Sequence, residues 1–387
     1  MRPSAPPAQS ALSAVRQETG LPEGITRNLV PLMAEDGAAL DGVLYASDRG
    51  CDTALVFMHP HVSFHHHYAL IPLAVRGYAS LGLNSRFAGN DAALIMEQVV
   101  LDLAAGVLHL RQQGYEQVVL VGNSGGGALA AFYQAQAEHP TITAPLAGGG
   151  PDLTRAALPP ADALIMLNAH RGRAEVLTAW LDPAVIDESD PLARDPDLDM
   201  FEERWGPPYS AEFVRRYREG QGARNRRITR WAQERASMLV TSNVRDEAFL
   251  VNRTAADLRF LDLSLDPSER KVGTYRGTDV WAANAAATGL ARFSTLSSWI
   301  SQWGLDTTNA AAKPSLAACS RPTLFIQGTA DQGIFPSDTR ALFEAADDID
   351  KEIYWVAGGT HYFAGQPELQ AEVYAHITEW LTKRGMG

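Results

Sequence analysis

The sequence predicts an α/β fold in which a mostly parallel sheet is flanked by helices. Short apolar runs rich in β-branched residues recur along the chain and are typical of buried strands. Segments with apolar residues at helical spacing separate these runs, and such alternation indicates a parallel sheet covered on both faces. One run, residues 118–121, leads directly into a glycine-rich turn and an alanine-rich segment that favours helix.

The elements can be placed in chain order. Residues 25–34 and 39–46 alternate in polarity and predict a leading hairpin, with residues 35–37 as its turn. Apolar residues at helical spacing predict a helix between residues 91 and 114. The other predicted elements of the core are a strand at 53–58, a helix at about 68–80, a strand at 81–86, the strand at 118–121 with the helix after it, and strands at 163–167, 322–328 and 352–357.

A long segment separates the strand at 163–167 from the strand at 322–328. It is far longer than a loop within a compact domain, for which about 12–15 residues is already long. Its periodicity is helical, and Ser210 is predicted to cap one helix. A longer helical stretch is predicted from residue 224 to about residue 260.

These patterns divide the chain into three parts. Residues 23–170 and 316–387 are predicted to form the α/β core, and residues 171–315 an inserted helical cap. Residues 1–22 are rich in Ala, Pro, Ser and Gln and are predicted to be a flexible arm.

Composition excludes several classes of function. The chain has 387 residues and a formal net charge of −12, which argues against nucleic acid because its phosphates need a basic face. No apolar run is long enough to cross a membrane, and the first residues lack the apolar core of a secretory signal. Two cysteines, Cys51 and Cys319, cannot form a disulfide framework. We therefore expect a cytoplasmic protein with reduced thiols.

The most informative motif follows the strand at 118–121. Residues Gly122-Asn123-Ser124-Gly125-Gly126 match G-x-S-x-G, in which a serine occupies a sharp strand-to-helix turn that only small neighbours allow. Such a turn could instead hold a phosphate. The chain lacks the Lys-Ser/Thr pair of a P-loop and the G-x-G-x-x-G spacing of a dinucleotide site, so the motif favours a nucleophile.

A nucleophilic serine needs a base and an acid that orients it. Asp331 follows the strand at 322–328, and His361 follows the strand at 352–357. Both positions lie just past the carboxyl end of a strand, where open α/β sheets place their sites. Rival residues are less well placed, and they are Asp152, Asp182, His139 and His376.

With this motif and this order of residues, the chain resembles the α/β-hydrolases that carry a large inserted cap, from about residue 25 to the end outside the insertion. The resemblance implies an α/β-hydrolase fold in which Ser124 is the nucleophile, His361 the general base and acid, and Asp331 the residue that orients His361. It implies no cofactor and no metal.

The resemblance also implies an oxyanion hole. One donor would be the amide of Gly125, and the second an amide after the strand at 53–58. The family usually has His-Gly there, whereas this chain has His59-Pro60. Since proline has no amide hydrogen, we expect the backbone of His61 to be the second donor.

Other side chains near these positions are candidate substrate contacts, namely His59, Asn123, His170 and Tyr362. Residues 65–67 are three consecutive histidines, a pattern that can indicate a metal site. No H-E-x-x-H or paired-cysteine motif accompanies them, so we expect a loop that lines the mouth of the pocket, with some of the imidazoles packed or solvated. A substrate contact by one of these histidines stays open.

The predicted cap has two unusual features of composition. Six of the eight tryptophans lie in it or at its edge: Trp180, Trp205, Trp231, Trp281, Trp299 and Trp303. We expect most of them to pack cap helices onto the core, and one or two to wall an apolar pocket. Residues 204–235 hold nine arginines, and residues 182–203 hold nine acidic residues. We expect these blocks to pair with each other, although one arginine could hold an anionic substrate group.

The favoured function is hydrolysis of an ester or lactone with an apolar or aromatic acyl group, through an acyl-enzyme. Three alternatives stay open: hydrolysis of a carbon–carbon bond in a ketone or diketone, acyl transfer with the same triad, and a non-catalytic homologue that binds a ligand. The expected partner is this small-molecule substrate, with neither nucleic acid nor membrane. The resemblance also allows a homodimer.

Overall fold

One eight-stranded sheet forms the centre of the computed structural model, which describes residues 20–143, 150–346 and 350–387. Its strands lie in the order β1-β2-β4-β3-β5-β6-β9-β10, with the first two antiparallel to their neighbours and the rest parallel. They are β1 (Ile25–Met33), β2 (Ala39–Ser47), β3 (Thr53–His59), β4 (Ala79–Asn84), β5 (Gln117–Asn123), β6 (Ala163–Leu167), β9 (Thr323–Gly328) and β10 (Lys351–Val356). The predicted mostly parallel sheet is confirmed.

Helices cover both faces of this sheet. The α-helices of the described chain are α1 (Leu70–Val75), α2 (Met96–Gln112), α3 (Gly125–Glu138), α4 (Arg173–Trp180), α5 (Ala211–Val240), α6 (Val280–Ala285), α7 (Leu296–Ser298), α8 (Ala312–Ala317), α9 (Pro336–Ala345) and α10 (Pro367–Thr382). Side chains of β3 alternate between the two faces: Val56 packs with α2 and α3, and Phe57 packs with α1 and α10. β3 and β5 are therefore buried on both sides, which explains their continuous apolar sequences.

The predicted core strands all form, with ends within two residues of the expected positions. The helix predicted at 68–80 is wrong in length, because α1 ends at Val75 and a turn follows. Gly77 closes that turn at φ +100°, a conformation that favours glycine, and β4 starts two residues later. The residues from 91 to 95, predicted as helix, are a turn that precedes α2.

Between β6 and β9 most of the regular elements are helices, but they differ from the predicted ones and long irregular stretches join them. Ser210 caps α5 as expected, with its hydroxyl accepting from Phe213 N at 3.2 Å. The helix then continues for 30 residues and ends at Val240, so the stretch predicted at 224–260 is wrong in both bounds. The next residues form β7 (Ala248–Leu250), which pairs with β8 (Phe293–Thr295) in a small antiparallel sheet.

The segment between β6 and β9 is attached to the core at the start of α2. A π-helical turn, Trp299–Trp303, follows α7, and its Ser301 hydroxyl accepts from Met96 N and donates to Glu97, each at 2.9 Å. Asn309 donates to the second carboxylate oxygen of Glu97 at 2.8 Å. Glu97 is buried, so these hydrogen bonds satisfy a carboxylate that is costly to bury alone.

The division into core and cap at residues 171 and 315 stays a prediction, and helix α8 already packs against α3 of the core. Of the predicted arm at 1–22, residues 1–19 lie outside the described residues, and so do residues 144–149. Both cysteines are free, and burial raises the pKa of the Cys319 thiol to about 12. None of the helices in the described part of the chain is both long and apolar enough to span a membrane.

Candidate active site

Ser124 lies on a strained turn between β5 and α3. Its backbone has φ +56° and ψ −121°, a conformation that residues other than glycine rarely adopt. The neighbouring residues Gly122 and Gly126 must be glycine because other backbone atoms lie too close to leave room for a Cβ, and not because of their φ angles. A Cβ on Gly122 would lie 2.4 Å from Gly127 Cα, and one on Gly126 would lie 2.3 Å from Met58 O. The G-x-S-x-G pattern thus reports a turn that crowds β3, as expected of a nucleophile elbow.

His361 and Asp331 form a hydrogen-bonded pair at the ends of β10 and β9. His361 Nδ1 lies 2.7 Å from Asp331 Oδ2, and the Asp331 side chain is fully buried. The other carboxylate oxygen accepts from the amides of Gly333 and Ile334 at 2.7 and 3.0 Å. Because a carboxylate can only accept, the proton of a neutral His361 lies on Nδ1, which leaves Nε2 as the basic atom.

A residue that the sequence interpretation missed supports this pair. Asn168 follows β6, has φ +42° and is fully buried. Its amide group donates to His361 O at 2.8 Å, and its Oδ1 accepts from Gly328 N at 2.8 Å. Asn168 therefore ties the loop of the histidine to the ends of β6 and β9. The sequence signal that could have identified Asn168 is an asparagine directly after a buried strand, since asparagine tolerates the left-handed backbone conformation.

Ser124 and His361 line the same cavity, which has a volume of about 110 Å³. No hydrogen bond joins Ser124 Oγ to His361 among the described residues, and catalytic contacts of this kind often tighten only when substrate binds. Aromatic and imidazole side chains form much of the remaining wall: His59, His61, His170, Trp180, Tyr275, Trp303 and Tyr362. Asp331 stands behind His361, as an orienting acid must.

Three of the four candidate substrate contacts, His59, His170 and Tyr362, line this cavity. Asn123 does not line it, contrary to the prediction. Its side chain is fully buried, donates to Leu167 O at 2.8 Å and accepts from His67 Nε2 at 3.1 Å. Asn123 therefore joins β5 to β6 instead of facing a ligand.

His61, the expected second oxyanion donor, also lines the cavity, but its amide is already engaged. His61 N donates to His59 Nδ1 at 3.2 Å. Its own ring accepts from Arg173 at 2.8 Å, and Arg173 also pairs with Asp91 and lies 4.2 Å from the Trp303 ring centroid. Burial and the nearby Arg173 lower the pKa of His61 to about 4, so its ring is neutral at physiological pH.

The three consecutive histidines do not line the cavity. His65 lies beside Asp41, with Nε2 3.2 Å from the carbonyl oxygen, and His66 contacts Tyr45. His67 is buried, accepts from Ala69 N at 3.3 Å and donates to Asn123. The expectation that this segment lines the pocket mouth is wrong, whereas the expectation that some of its rings are packed holds for His67; His66 is exposed. Within the described ranges, no group of three or more His, Cys, Asp or Glu side chains is arranged to hold a metal ion.

Two tryptophans of the segment between β6 and β9, Trp180 and Trp303, wall the cavity as expected. The arginine at the site is Arg173, which lies outside the predicted arginine block. Residues of that block pair only in part with the acidic block, for example Arg204 with Asp197 and Arg224 with Glu188. Others pair with acids beyond it: Arg218 with Asp257, Arg226 with Asp306 and Arg235 with Glu247.

Several solved structures share this fold at low sequence identity. A DcsB complex with its substrate analogue is 14% identical, with 94% of this chain and 100% of that chain covered and a TM-score of 0.54. The α/β-hydrolase GrgF from Penicillium sp. sh18 is 13% identical, with coverage of 92% and 98% and a TM-score of 0.52. A hypothetical protein from Pseudomonas aeruginosa is 15% identical, with coverage of 93% and 95% and a TM-score of 0.51.

No protein-family model and no curated protein matches the chain by sequence. The structural likeness and the strand order, with a serine elbow after β5 and an Asp–His pair after β9 and β10, agree with each other. The protein therefore has the α/β-hydrolase fold.

Proposed function

We propose that the protein is a serine hydrolase that cleaves an ester or lactone through an acyl-enzyme. One observation carries this proposal: the strained Ser124 and the Asp331-bound His361 face a single cavity at the carboxyl edge of the sheet. This combination supplies a nucleophile, a base and an orienting acid in the order that the fold uses.

In the proposed reaction, Ser124 Oγ attacks the acyl carbon while His361 Nε2 takes its proton. Asp331 holds the ring and stabilises the imidazolium that forms. Gly125 is the first residue of α3, whose initial amides have no acceptor within the helix, so its N–H is available to the oxyanion. His361 then protonates the leaving group, and water attacks the acyl-enzyme by the same route in reverse.

The cavity supports a small substrate. The volume of about 110 Å³ lies below the roughly 300–1,000 Å³ usual for ligand pockets, and the walls from Trp180 and Trp303 favour an apolar acyl group. Both tryptophans belong to the segment between β6 and β9, so we propose that this segment acts as a cap that selects substrate and excludes water. A larger substrate would require the cap to open.

A serine-directed fluorophosphonate tests the proposal. We expect it to label wild-type protein at Ser124, and Ser124→Ala to lose both the labelling and all turnover. Hydrolysis of p-nitrophenyl acetate, butyrate and octanoate should decrease with chain length because of the small cavity. Labelling that persists in Ser124→Ala, or turnover that survives it, would refute the assignment of Ser124.

Further assays on the wild-type protein distinguish the alternative functions. Panels of lactones and β-diketones distinguish ester cleavage from carbon–carbon cleavage, and added alcohols that accept the acyl group reveal acyl transfer. A protein that binds a substrate analogue but neither labels nor turns over any of these substrates would be a non-catalytic homologue.

A further inference from the structure

Two buried histidines beside the elbow, His59 and His170, have a fixed proton arrangement. His59 Nδ1 lies 3.2 Å from His61 N and 3.1 Å from Val62 N, and His170 Nδ1 lies 3.1 Å from Gly172 N. A backbone amide can only donate, so both Nδ1 atoms are acceptors without a proton. A neutral imidazole of this kind carries its proton on Nε2. Both rings therefore present an N–H donor at Nε2.

Both donors face the residue that follows the nucleophile. A Cβ built on Gly125 would lie 2.7 Å from His59 Nε2 and 3.1 Å from His170 Nε2. Both side chains line the cavity, and neither Nε2 atom has a hydrogen-bond partner within the described ranges. Two donors without such a partner thus converge at the Cα of Gly125, the residue whose amide is the expected first oxyanion donor.

The rings stay neutral at physiological pH. Burial and nearby cationic groups, Arg173 among them, lower the pKa of His59 well below its usual range and that of His170 to about 3. Neutral donors suit this position, because a second imidazolium would oppose the positive charge that His361 gains during attack.

The loop after β3 does not offer the usual backbone donor. Pro60 has no amide hydrogen, and the amides of His61 and Val62 both donate to His59 Nδ1. These hydrogen bonds leave neither loop amide free to donate to a substrate. They also hold the His59 ring with its Nε2–H towards Gly125. The His59 imidazole therefore offers a donor in place of the backbone amide that this loop lacks.

We propose that the Nε2–H groups of His59 and His170 complete the oxyanion hole together with the Gly125 amide, with His59 as the main donor. This inference rests on the proposed serine hydrolase function. When Ser124 Oγ bonds to the acyl carbon, the carbonyl electron pair moves onto oxygen and both Nε2–H groups donate to it. The charge returns to the carbonyl when the leaving group departs with the proton from His361.

The test uses two variants that divide the functions of His59. In His59→Asn the amide oxygen can replace Nδ1 as the acceptor for the loop, but no group reaches the position of Nε2. In His59→Gln the amide nitrogen can occupy the position of Nε2 and donate. With p-nitrophenyl acetate we expect His59→Asn to lower kcat by about 10²–10³ with KM changed less than about threefold, and His59→Gln to recover most of kcat.

The inhibition constant of a transition-state analogue should not change if His59 has only a structural role. Trifluoroacetone forms a tetrahedral adduct with the serine, and its inhibition constant should rise in His59→Asn by the same factor as kcat falls. His170→Asn, which keeps an acceptor for Gly172 N, should show the same correlation with a smaller loss of about 10-fold. Thermal melting of each variant checks that the fold is retained.

Two outcomes distinguish failure of the imidazole-donor proposal from failure of the proposed hydrolase function. If wild type is labelled and active but His59→Asn keeps kcat and the affinity for trifluoroacetone, a backbone amide is the second donor and the imidazole proposal is overturned. If wild type is neither labelled by fluorophosphonate nor active on any substrate, the hydrolase function itself fails.

Discussion

The protein contains two groups of histidines that differ in their environment. The cavity group is formed by His59, His61, His170 and His361, which come from separate loops at the carboxyl edge of the sheet. The packing group, His65, His66 and His67, is contiguous in sequence and contacts backbone and side chains away from the cavity. The three consecutive histidines that stand out in the sequence are therefore not the histidines that line the cavity.

The difference shows that the partner of each ring nitrogen decides what a histidine can do. In the cavity group a backbone amide, a carboxylate or a guanidinium occupies Nδ1, which leaves Nε2 for the cavity. In His67 both nitrogens are used within the core, so no atom is left for chemistry. Under the proposed function, these hydrogen bonds separate candidate catalytic histidines from structural ones, and three predictions test that separation.

The largest effect is expected for the acid behind the cavity group. Asp331→Asn keeps an oxygen for the amides of Gly333 and Ile334 but places an amide group beside His361 Nδ1, which favours the wrong tautomer. We expect kcat to fall by about 10⁴ with little change in KM, measured on p-nitrophenyl acetate.

The matched control is Asp152→Asn. Asp152 caps a short 3₁₀ helix at Leu153–Arg155, where asparagine caps equally well, so activity should stay within about twofold of wild type. Retention of more than a tenth of kcat in Asp331→Asn would contradict the triad and remove the distinction between the two groups.

An intermediate effect is expected for Asn168, which holds the loop of His361 without touching the cavity. Asn168→Gly keeps the left-handed backbone but leaves His361 O and Gly328 N without their partner. We expect the free energy of unfolding to fall by about 2–3 kcal/mol. Because His361 is less well placed, kcat should fall by about 10–100-fold with KM nearly unchanged.

Two measurements separate positioning from simple loss of stability. The rate of fluorophosphonate labelling, followed well below the melting temperature, should fall in parallel with kcat for Asn168→Gly. A variant that is destabilised but labels at the wild-type rate would show that Asn168 has only a structural role.

The smallest effect on activity is expected in the packing group. Burial lowers the pKa of His67 from 6.5 to about 4, so between these values the unfolded chain binds the extra proton. The free energy of unfolding of wild type should therefore decrease as pH falls, by up to about 1.4 kcal/mol per pH unit for this group. His67→Gln removes this contribution and should keep kcat within about twofold.

Denaturant titrations at pH 7.5 and pH 5 check this prediction. His67→Gln should be less stable by about 1 kcal/mol at pH 7.5, because Ala69 N loses its acceptor, and should approach or exceed wild type at pH 5. His65→Gln at pH 7.5 should shift stability by less than about 0.5 kcal/mol. A difference between His67→Gln and wild type that is independent of pH would show that His67 does not titrate as described.

The sequence predicted the sheet because strand runs and helical periodicity are local signals. β6 was placed at its observed bounds, and Ser124, Asp331 and His361 were selected by their position after strands. These assignments needed only chain order and the rule that sites lie at the carboxyl edge of parallel strands.

The remaining features depend on contacts that sequence periodicity does not encode. The roles of Asn168 and Arg173 arise from the meeting of segments that are distant in the chain. The proton arrangement of His59 depends on two amides that donate back to its ring. Tertiary packing decides such features over local propensity.

Buried Glu97 has a consequence for engineering. Its carboxylate depends on Ser301 and Asn309, both from the segment between β6 and β9. A chimera that exchanges this segment for that of another protein with this fold would leave the carboxylate unpaired in an apolar environment, which costs several kcal/mol. Any such transplant should therefore carry a hydroxyl and an amide at these positions, or replace Glu97 with an apolar residue of similar size.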